Sequence, residues 1–461
     1  MTESKEVVFV HASPSNLRYE PREPLNLGIL QAILEEKGIS TYLIDAYRDN
    51  LSSEKVIKEI KKKNPAIVGI SAVDLSLPQA LNISKKLKEE DFIVCLGGYG
   101  PTFQYERCLN EGKCDFVVRG EGEHPVFQLF PELLNNNKGH IKRTKGICYK
   151  DGDEIIKTSN QKIVYDLDRL PFPLRRDMPP EKYKKDNILG ATFISARGCY
   201  WGKCKFCDIR KFPGGKKYRR RSPQNIIEEL KMLHDDYGVS LVADMSSCFL
   251  GINEDWVKKF FNLLKDNFDD IYLKFETRAD TFLKFKNILK DNLDIIFGID
   301  VGIENFDDNW LKRNYKGTNR VQNIETIEIL KEFKNIRDRM DTDRYYTFFN
   351  YFTIDVDRDT TLEEFTRHYN TLKELEIVGT WRPNIMLYYP WISKEQQDEI
   401  WKEKSNPDAL ALKYAIENLY GCGGYLSNSR ALNENRLNDR RDMLSSFFDE
   451  LLKEMKKIKY S

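Results

Sequence analysis

The sequence predicts an α/β protein: an N-terminal doubly wound, Rossmann-like parallel sheet, then a partial (β/α)6 barrel of the TIM type, then a helical C-terminal region. Three observations predict it. Short apolar runs alternate with amphipathic helical patterns from residue 7 to about 135, as in a parallel sheet covered by helices on both faces. A proline-rich stretch, YDLDRLPFPLRRDMPP at 165–180, interrupts the pattern like an extended connector. Beyond it, strands and helices alternate again. At 461 residues the chain is long enough for about three domains. The expected boundaries are 1–140, a linker at 141–190, a barrel at 191–390 and a tail at 391–461.

In the first domain VVFVHA reads as a strand and NLGILQAILEEKG as a helix stopped by Gly38. TYLIDA is the second strand and SSEKVIKEIKKKN the second helix. AIVGISA is the third strand, followed by the helix LPQALNISKKLKEE. FIVCLGG and DFVVRGEGE supply strands four and five. Open parallel sheets bind ligands beyond the carboxyl ends of their strands. Ser71 closes strand three, GGYGPT closes strand four with Gly97, Gly98 and Gly100, and Gly120 and Gly122, flanking Glu121, close strand five. Glycines there either make turns or let backbone approach a large flat ligand. No G-x-G-x-x-G follows strand one, so a dinucleotide site is not indicated.

Composition removes several function classes. A net charge of +1, with 31% charged residues, gives no global field for nucleic acid or membrane. No run of eighteen apolar residues exists to span a bilayer, and MTESKEVVFVHASPSN has no signal-peptide design. A cytoplasmic protein with reduced thiols is expected, where clustered cysteines mean metal or catalysis. The five histidines, His11, His124, His140, His234 and His368, form no pair at metal-ligand spacing. The basic run Lys216, Lys217, Arg219, Arg220 and Arg221 is either a solvated face or a contact to an acidic group.

The strand ATFISA leads into ARGCYWGKCKFCDIRK, which carries Cys199, Cys204 and Cys207 within nine residues. A structural zinc site needs a fourth ligand, and no second C-x2-C exists. A cluster of ordinary free thiols suits a glycine- and lysine-rich loop poorly. A [4Fe–4S] cluster held by three thiolates would keep one iron open for a substrate, with Lys203, Lys205 and Arg210 offsetting its negative charge.

Downstream strands read at VSLVAD, DIYLKFETR, DIIFGIDVGIE, YYTFFNYFTIDV and RPNIMLYY, separated by helices such as SPQNIIEELKMLHDDYG and VQNIETIEILKEFKN. In such barrels the chemistry lies at the carboxyl ends of the strands. Period-two alternation puts Phe297, Ile299, Val301 and Ile303 on one face, and Gly298, Asp300, Gly302 and Glu304 on the other. Lys274, Glu276 and Arg278 share a face likewise. Charged faces inside a sheet either serve a site or bridge one another.

EPLNLGILQAILEEKG, GGYGPT and DFVVRGEGE together resemble the cobalamin-binding domain that precedes many radical S-adenosylmethionine enzymes, over most of residues 20–130. CYWGKCKFC resembles the cysteine motif of that superfamily, with one departure. The usual spacing is C-x3-C-x2-C, and here the first gap is four residues, which Gly202 can absorb in a wider turn. VGIENFDDNWLKRNYKGT resembles a fourth-strand segment of the same enzymes, and LPFP a segment that often joins their two domains. The resemblances reach residue 390 or so.

The resemblance implies cobalamin at Ser71, Gly97, Gly98, Tyr99, Gly120, Glu121 and Gly122, and a [4Fe–4S] cluster on Cys199, Cys204 and Cys207. It implies S-adenosylmethionine bound by Phe206 at the adenine, Asp244 and Ser246 at the amino group, Arg278 at the carboxylate, and Glu304. The histidine motif D-x-H-x-x-G of other cobalamin domains is absent, which implies a cobalt without a histidine on its lower face. The implied activity is methyl transfer from methylcobalamin to an unactivated carbon of a peptide or small-molecule substrate, by a 5′-deoxyadenosyl radical. An electron donor such as flavodoxin or ferredoxin is implied as partner. Non-methylating radical chemistry (cyclisation, oxidation or rearrangement) and a cobalamin or redox sensor without turnover are the rival readings. The Arg219–Arg221 cluster is expected to bind an acidic substrate or leader near the barrel mouth.

Overall fold

Val7, Val8, Phe9 and Val10 are all buried, as a strand must be when helices cover both faces of its sheet. They form β1 (Val7–His11), flanked in parallel by β2 (Thr41–Asp45) and β3 (Ile67–Ser71). β4 (Ile93–Gly97) and β5 (Phe116–Val118) extend the sheet in parallel beyond β3. The order β2-β1-β3-β4-β5 reverses its direction of winding beside β1, and the carboxyl ends of strands at such a point are the usual ligand edge. The computed structural model describes residues 6–14, 21–184, 190–340, 348–354, 356–376, 399, 402–420 and 450–455.

The helices between these strands are α1 (Leu25–Glu35), α2 (Ser53–Lys63), α3 (Leu77–Lys88), the short α4 (Tyr99–Phe103) and α5 (Tyr105–Asn110), and α6 (Glu123–Leu134) follows β5. Their ends follow from side-chain chemistry. The Ser52 hydroxyl accepts the Lys55 N–H at the start of α2, and Asn64 ends it with φ of 47°. Two cores sandwich the sheet. Val8, Val10, Val68 and Ile70 pack with Val56, Ile60 and Leu81 from α2 and α3, and Val7, Phe9, Ile67 and Phe116 pack with Ile33, Leu129 and Phe130 from α1 and α6.

The expected linker at 141–190 begins too early. Residues 147–157 form a hairpin, β6 (Ile147–Asp151) and β7 (Glu154–Lys157), which adds two antiparallel strands and makes the sheet seven-stranded. Its two-residue turn is Gly152-Asp153, with Gly152 at φ of 64°, the backbone that a tight hairpin demands.

The chain groups into two compact units, Met1–Gly202 with Asp208–Ser247 and Asp255–Leu273, and Lys203–Cys207 with Cys248–Glu254 and Lys274–Ser461. In the first, β8 (Gly190–Phe193) pairs in parallel with β11 (Leu241–Asp244), while β9 (Ala196–Arg197) and β10 (Arg219–Arg220) form a small antiparallel clasp. Helices α7 (Pro223–Tyr237) and α8 (Glu254–Asn267) follow. In the second, β12 (Tyr272–Arg278), β13 (Ile296–Glu304) and β14 (Phe348–Thr353) lie in that order, with α9 (Ala279–Lys290), α10 (Asp308–Arg313) and α11 (Arg320–Arg339) between them and α12 (Leu362–Glu374) after. Five of the six expected barrel strands are thus present. The sixth, RPNIMLYY, and the loop GCGGYLSNS lie outside the described residues. The tail does contain a helix, Pro407–Tyr420. Asp408 there accepts the Leu362 N–H at 3.1 Å, and the Asn406 N–H donates to the Arg358 carbonyl at 3.0 Å.

Candidate functional site

Register alone assembles the ligand edge of the seven-stranded sheet. His11 stands opposite both Asp45 and Ser71, and Ser71 opposite Gly97. Below that row a cavity is lined by Phe9, Leu27, Leu30, Gly69, Cys95 and Phe130 among others, with Ser71, Gly97 and Gly98 at its rim. Asn26 donates to the Ser71 hydroxyl at 3.2 Å. Gly98 has φ of 97°, and a Cβ there would stand 2.6 Å from the Ala72 carbonyl oxygen, so only glycine fits. Gly97 is different. A Cβ there would meet nothing nearer than Val118 at 3.8 Å. Protein packing does not require that glycine, and the open space it leaves suits a flat ligand. Val73, Leu75 and Tyr99 are exposed large apolar side chains in the same stretch of strand-end loops.

The β5 loop has a different occupation from the one expected. The Gly120 N–H donates to the Thr102 hydroxyl at 3.0 Å, and a Cβ on Gly120 would reach Pro213 at 2.9 Å. Glu121 accepts from Arg219 at 2.9 Å and lies 3.6 Å from Arg197. Gly122 packs on Leu30. These residues fasten the cysteine-bearing segment to the sheet; Tyr99 joins them by stacking on Phe212, with ring centroids 4.4 Å apart.

The same contacts correct the reading of the basic run. Arg219 and Arg221 are buried, Arg219 on Glu121 and Arg221 on Glu229 and Asn225. Arg220 lies 3.4 Å over the Trp256 ring. Lys216 and Lys217 are exposed, so that end of the run is a solvated face, whereas Arg219 and Arg221 are spent on internal carboxylates and are no acidic-substrate patch.

The cysteine loop springs from the β9–β10 clasp. The Cys199 N–H donates to the Gly215 carbonyl at 3.1 Å, and Gly198, at φ of 79°, passes so close that a Cβ would stand 2.6 Å from two carbonyl oxygens. Gly202 takes φ of 55°, the turn expected to absorb the extra residue. At the base of the loop, Asp244 and Ser246 hold backbone. The Ser195 N–H donates to Asp244 at 2.8 Å, and the Ala196 N–H donates to the Ser246 hydroxyl at 2.7 Å. Ser246 also donates to Asp244 at 2.9 Å. Both residues therefore position the cysteine loop, a role invisible in their sequence neighbourhood.

Burial pushes the Asp244 carboxyl up to about 6, against the hydrogen bonds it receives. Its folded value exceeds its unfolded one, so the native state holds the proton more tightly. That contribution is full below about pH 4 and lost as pH rises through about 6. Asp244→Asn is expected to flatten the fall of stability between pH 4 and 6, measured by chemical denaturation across that range.

In the second unit Arg278 stands on Cys204. Its Nη1 lies 3.6 Å from the Cys204 Sγ, Nη2 donates to the Lys316 carbonyl at 2.6 Å, and Nε donates to Asp280 at 2.9 Å. A guanidinium so placed favours the thiolate. Lys316, only 3% exposed, donates through Nζ to Glu304 at 2.9 Å. Glu304 has φ of 69° at a register shift after Gly302. Such backbone costs about 1–3 kcal/mol and concentrates at functional sites. Gly302 makes the room: a Cβ there would stand 2.8 Å from the Glu304 carboxylate. Lys316, which sequence reasoning passed over, thus links Arg278 to Glu304. Phe206 packs on the buried Trp310, centroids 5.8 Å apart. Lys274 pairs with Asp300 at 2.9 Å, so part of the charged strand face does bridge internally.

Among the described residues, no three His, Cys, Asp or Glu side chains stand close enough together to hold a metal ion. No described helix is long and apolar enough to cross a membrane.

Comparison with known proteins finds two family matches. Residues 19–130 match the B12 binding domain and residues 193–367 the radical SAM superfamily. An uncharacterised methyltransferase of Pyrococcus horikoshii is 29% identical over 316 residues, 67% of each chain. The anaerobic magnesium-protoporphyrin IX monomethyl ester cyclase of Cereibacter sphaeroides is 30% identical over 249 residues, which are 52% of this chain and 40% of the cyclase. The fold is shared with the cobalamin-dependent S-adenosylmethionine radical enzyme OxsB bearing aqua-cobalamin: TM-score 0.66, 19% identity, over 96% of this chain and 61% of OxsB.

Proposed function

Because this chain is a radical SAM enzyme with an N-terminal B12-binding domain, whose cofactors are cobalamin, S-adenosylmethionine and a [4Fe–4S] cluster, we propose that it transfers a methyl group to an unactivated carbon of a peptide or small-molecule substrate. One observation carries the reading: a sheet edge with open space at Gly97 and a three-cysteine loop with a guanidinium on Cys204 occur in one chain. The methyltransferase relative supports the choice of reaction.

When bound, these cofactors supply a 5′-deoxyadenosyl radical and a transferable methyl group. The protein's own residues do the rest. Cys199, Cys204 and Cys207 hold the cluster, and Arg278 offsets thiolate charge. Asp244 and Ser246 fix the start of the cysteine loop. Glu304, held by Lys316, presents a carboxylate at a strand end where polar groups of S-adenosylmethionine can be met. Ser71, Gly97, Gly98 and Tyr99 form the cobalamin edge. A low-potential carrier such as flavodoxin or ferredoxin delivers the electron.

The cyclase relative favours a second reading, radical ring formation without methyl transfer. Product mass decides between them. Incubation with substrate candidates and methyl-deuterated S-adenosylmethionine is expected to give a product in which one hydrogen is replaced by a CD3 group carrying all three deuteriums. A product lighter by hydrogen, with no label, would replace methyl transfer with cyclisation or oxidation.

A further inference from the structure

A short segment of the first unit, Pro21 to Asn26, joins the ligand edge of the seven-stranded sheet to the carboxyl ends of β8 and β11. Asn26 lines the cavity rimmed by Gly97 and Gly98 and donates to the Ser71 hydroxyl. Glu23 turns to β8. Its buried carboxylate accepts the Thr192 N–H at 2.7 Å and the Thr192 hydroxyl at 2.6 Å, and Arg175 at 2.6 Å. Pro21 and Pro24 flank Arg22 and Glu23. Proline fixes its own φ and holds the residue before it in extended backbone. The segment is therefore stiff and fastened on both sides, and Arg22 lies within it.

Arg22 is exposed, and its Nη1 lies 3.1 Å from the Met245 Sδ. Met245 follows directly on β11, between Asp244 and Ser246, and its N–H donates to the Phe193 carbonyl at the end of β8 at 2.8 Å. The guanidinium thus stands at the carboxyl ends of adjacent parallel strands, where barrels and open sheets place their chemistry. Met245 is itself exposed, and a thioether is a weak acceptor. Among the described residues that sulfur is the only acceptor for Arg22, and no carboxylate pairs with it. Other arginines of this unit differ. Arg175 has Glu23 and Glu229, Arg197 has Glu123, Arg219 has Glu121 and Arg221 has Glu229. A planar fork of N–H donors with one weak acceptor matches a carboxylate or phosphate, which it can take in parallel bonds. Because the backbone on either side is already held, little ordering is lost when an anion binds.

Resting on the radical-enzyme reading, we propose that Arg22 is a substrate-binding residue that holds an anionic group, a carboxylate or a phosphate, of the molecule to be modified. The group lies between the sheet edge marked by Asn26 and Ser71 and the strand end marked by Met245, which offers an apolar contact beside it. The substrate is then an anion, selected by a residue of the N-terminal domain and not by the basic run at Lys216–Arg221.

Footprinting with phenylglyoxal, which adds to accessible guanidinium groups, tests this without turnover and without a variant. The full chain carries its cobalamin and its cluster, kept oxidised, and is modified in the presence of benzoate, phenyl phosphate or neutral benzamide. Mass spectrometry follows Arg22 beside Arg169, whose side chain is 83% exposed and serves as reference. Benzoate or phenyl phosphate should slow modification of Arg22 several-fold and leave Arg169 unchanged, while benzamide slows neither. The more protective anion names the class of the group. Protection by neither anion, equal slowing at both arginines, or protection by benzamide as strong as by the anions would overturn the proposal. S-adenosylmethionine has a carboxylate of its own and forms a separate arm. Anion protection should persist in its presence; protection by S-adenosylmethionine alone, as strong as by the anions, would assign Arg22 to the cofactor and overturn the proposal too. The footprint reads no product. A chain with anion protection at Arg22 that forms no 5′-deoxyadenosine would refute the reading of the reaction, and an active chain without that protection would refute this one.

Discussion

Cys204→Ala is expected to leave the reconstituted protein with almost none of the parental iron and sulfide, and with no detectable 5′-deoxyadenosine. Three thiolates are the fewest that this loop offers, and removing one leaves two ligands for a four-iron cluster. Cys204 is also the thiol on which Arg278 stands at 3.6 Å. Its loss takes away a ligand, while Arg278 keeps Asp280 and the Lys316 carbonyl. The contrast is with four thiols of the seven-stranded sheet and its flanking segments. Burial pushes Cys108 up to about 12 and Cys114 well above its ordinary value, and it raises Cys95 and Cys148 too. These are protonated packing residues and poor ligands. Cys114→Ala should therefore keep the full iron content. Iron, sulfide and the charge-transfer absorbance of both variants, measured side by side, check the prediction. Equal losses in the two would remove the distinction.

Arg175→Met is expected to destabilise the chain by about 3–5 kcal/mol, the cost of leaving a buried ion pair half-made. Arg175 donates to Glu23 at 2.6 Å, to Glu229 at 3.2 Å and to the Thr192 carbonyl at 2.8 Å. The side chains of all three ionic partners are at most 2% exposed. Glu229 keeps Arg221 when Arg175 is gone. Glu23 keeps the Thr192 N–H and hydroxyl on β8 as donors. Burial already raises its carboxyl, with Arg175 opposing. Without the arginine the raised value climbs further, so the penalty should be smaller at pH 5 than at pH 8. Denaturant midpoints at the two pH values measure this. The double change Glu23→Gln, Arg175→Met should lose less than Arg175→Met alone, since no unpaired charge then stays buried. A double variant as unstable as the sum of both single ones would contradict that account.

Much of the architecture was legible because local patterns and tertiary structure agree. Strands β1 to β5 follow their apolar runs within a residue or two, and α2, α7 and α11 begin at the capping side chains of Ser52, Ser222 and Asn319. The β6–β7 hairpin was missed although Gly152-Asp153 announces it; its strands are short and their alternation is weak. The fate of the basic run was not legible at all. Arg219 and Glu121 are 98 residues apart and Arg175 and Glu23 are 152 apart, and nothing local says that such charges meet. Asp244 was singled out at a strand end, but only the folded loop shows that it serves the Ser195 backbone. The pairing of His11 with Asp45 likewise arises from parallel register, which places the ends of β1 and β2 side by side.

Anaerobic radical formation is the most direct measure of the central claim. The chain is loaded with iron, sulfide and cobalamin, then given S-adenosylmethionine and a strong reductant, and 5′-deoxyadenosine is quantified by mass spectrometry beside a triple Cys199→Ala, Cys204→Ala, Cys207→Ala control. The account predicts deoxyadenosine from the parent and none from the control. A parent with a complete cluster that forms none, with substrate candidates present, would contradict it.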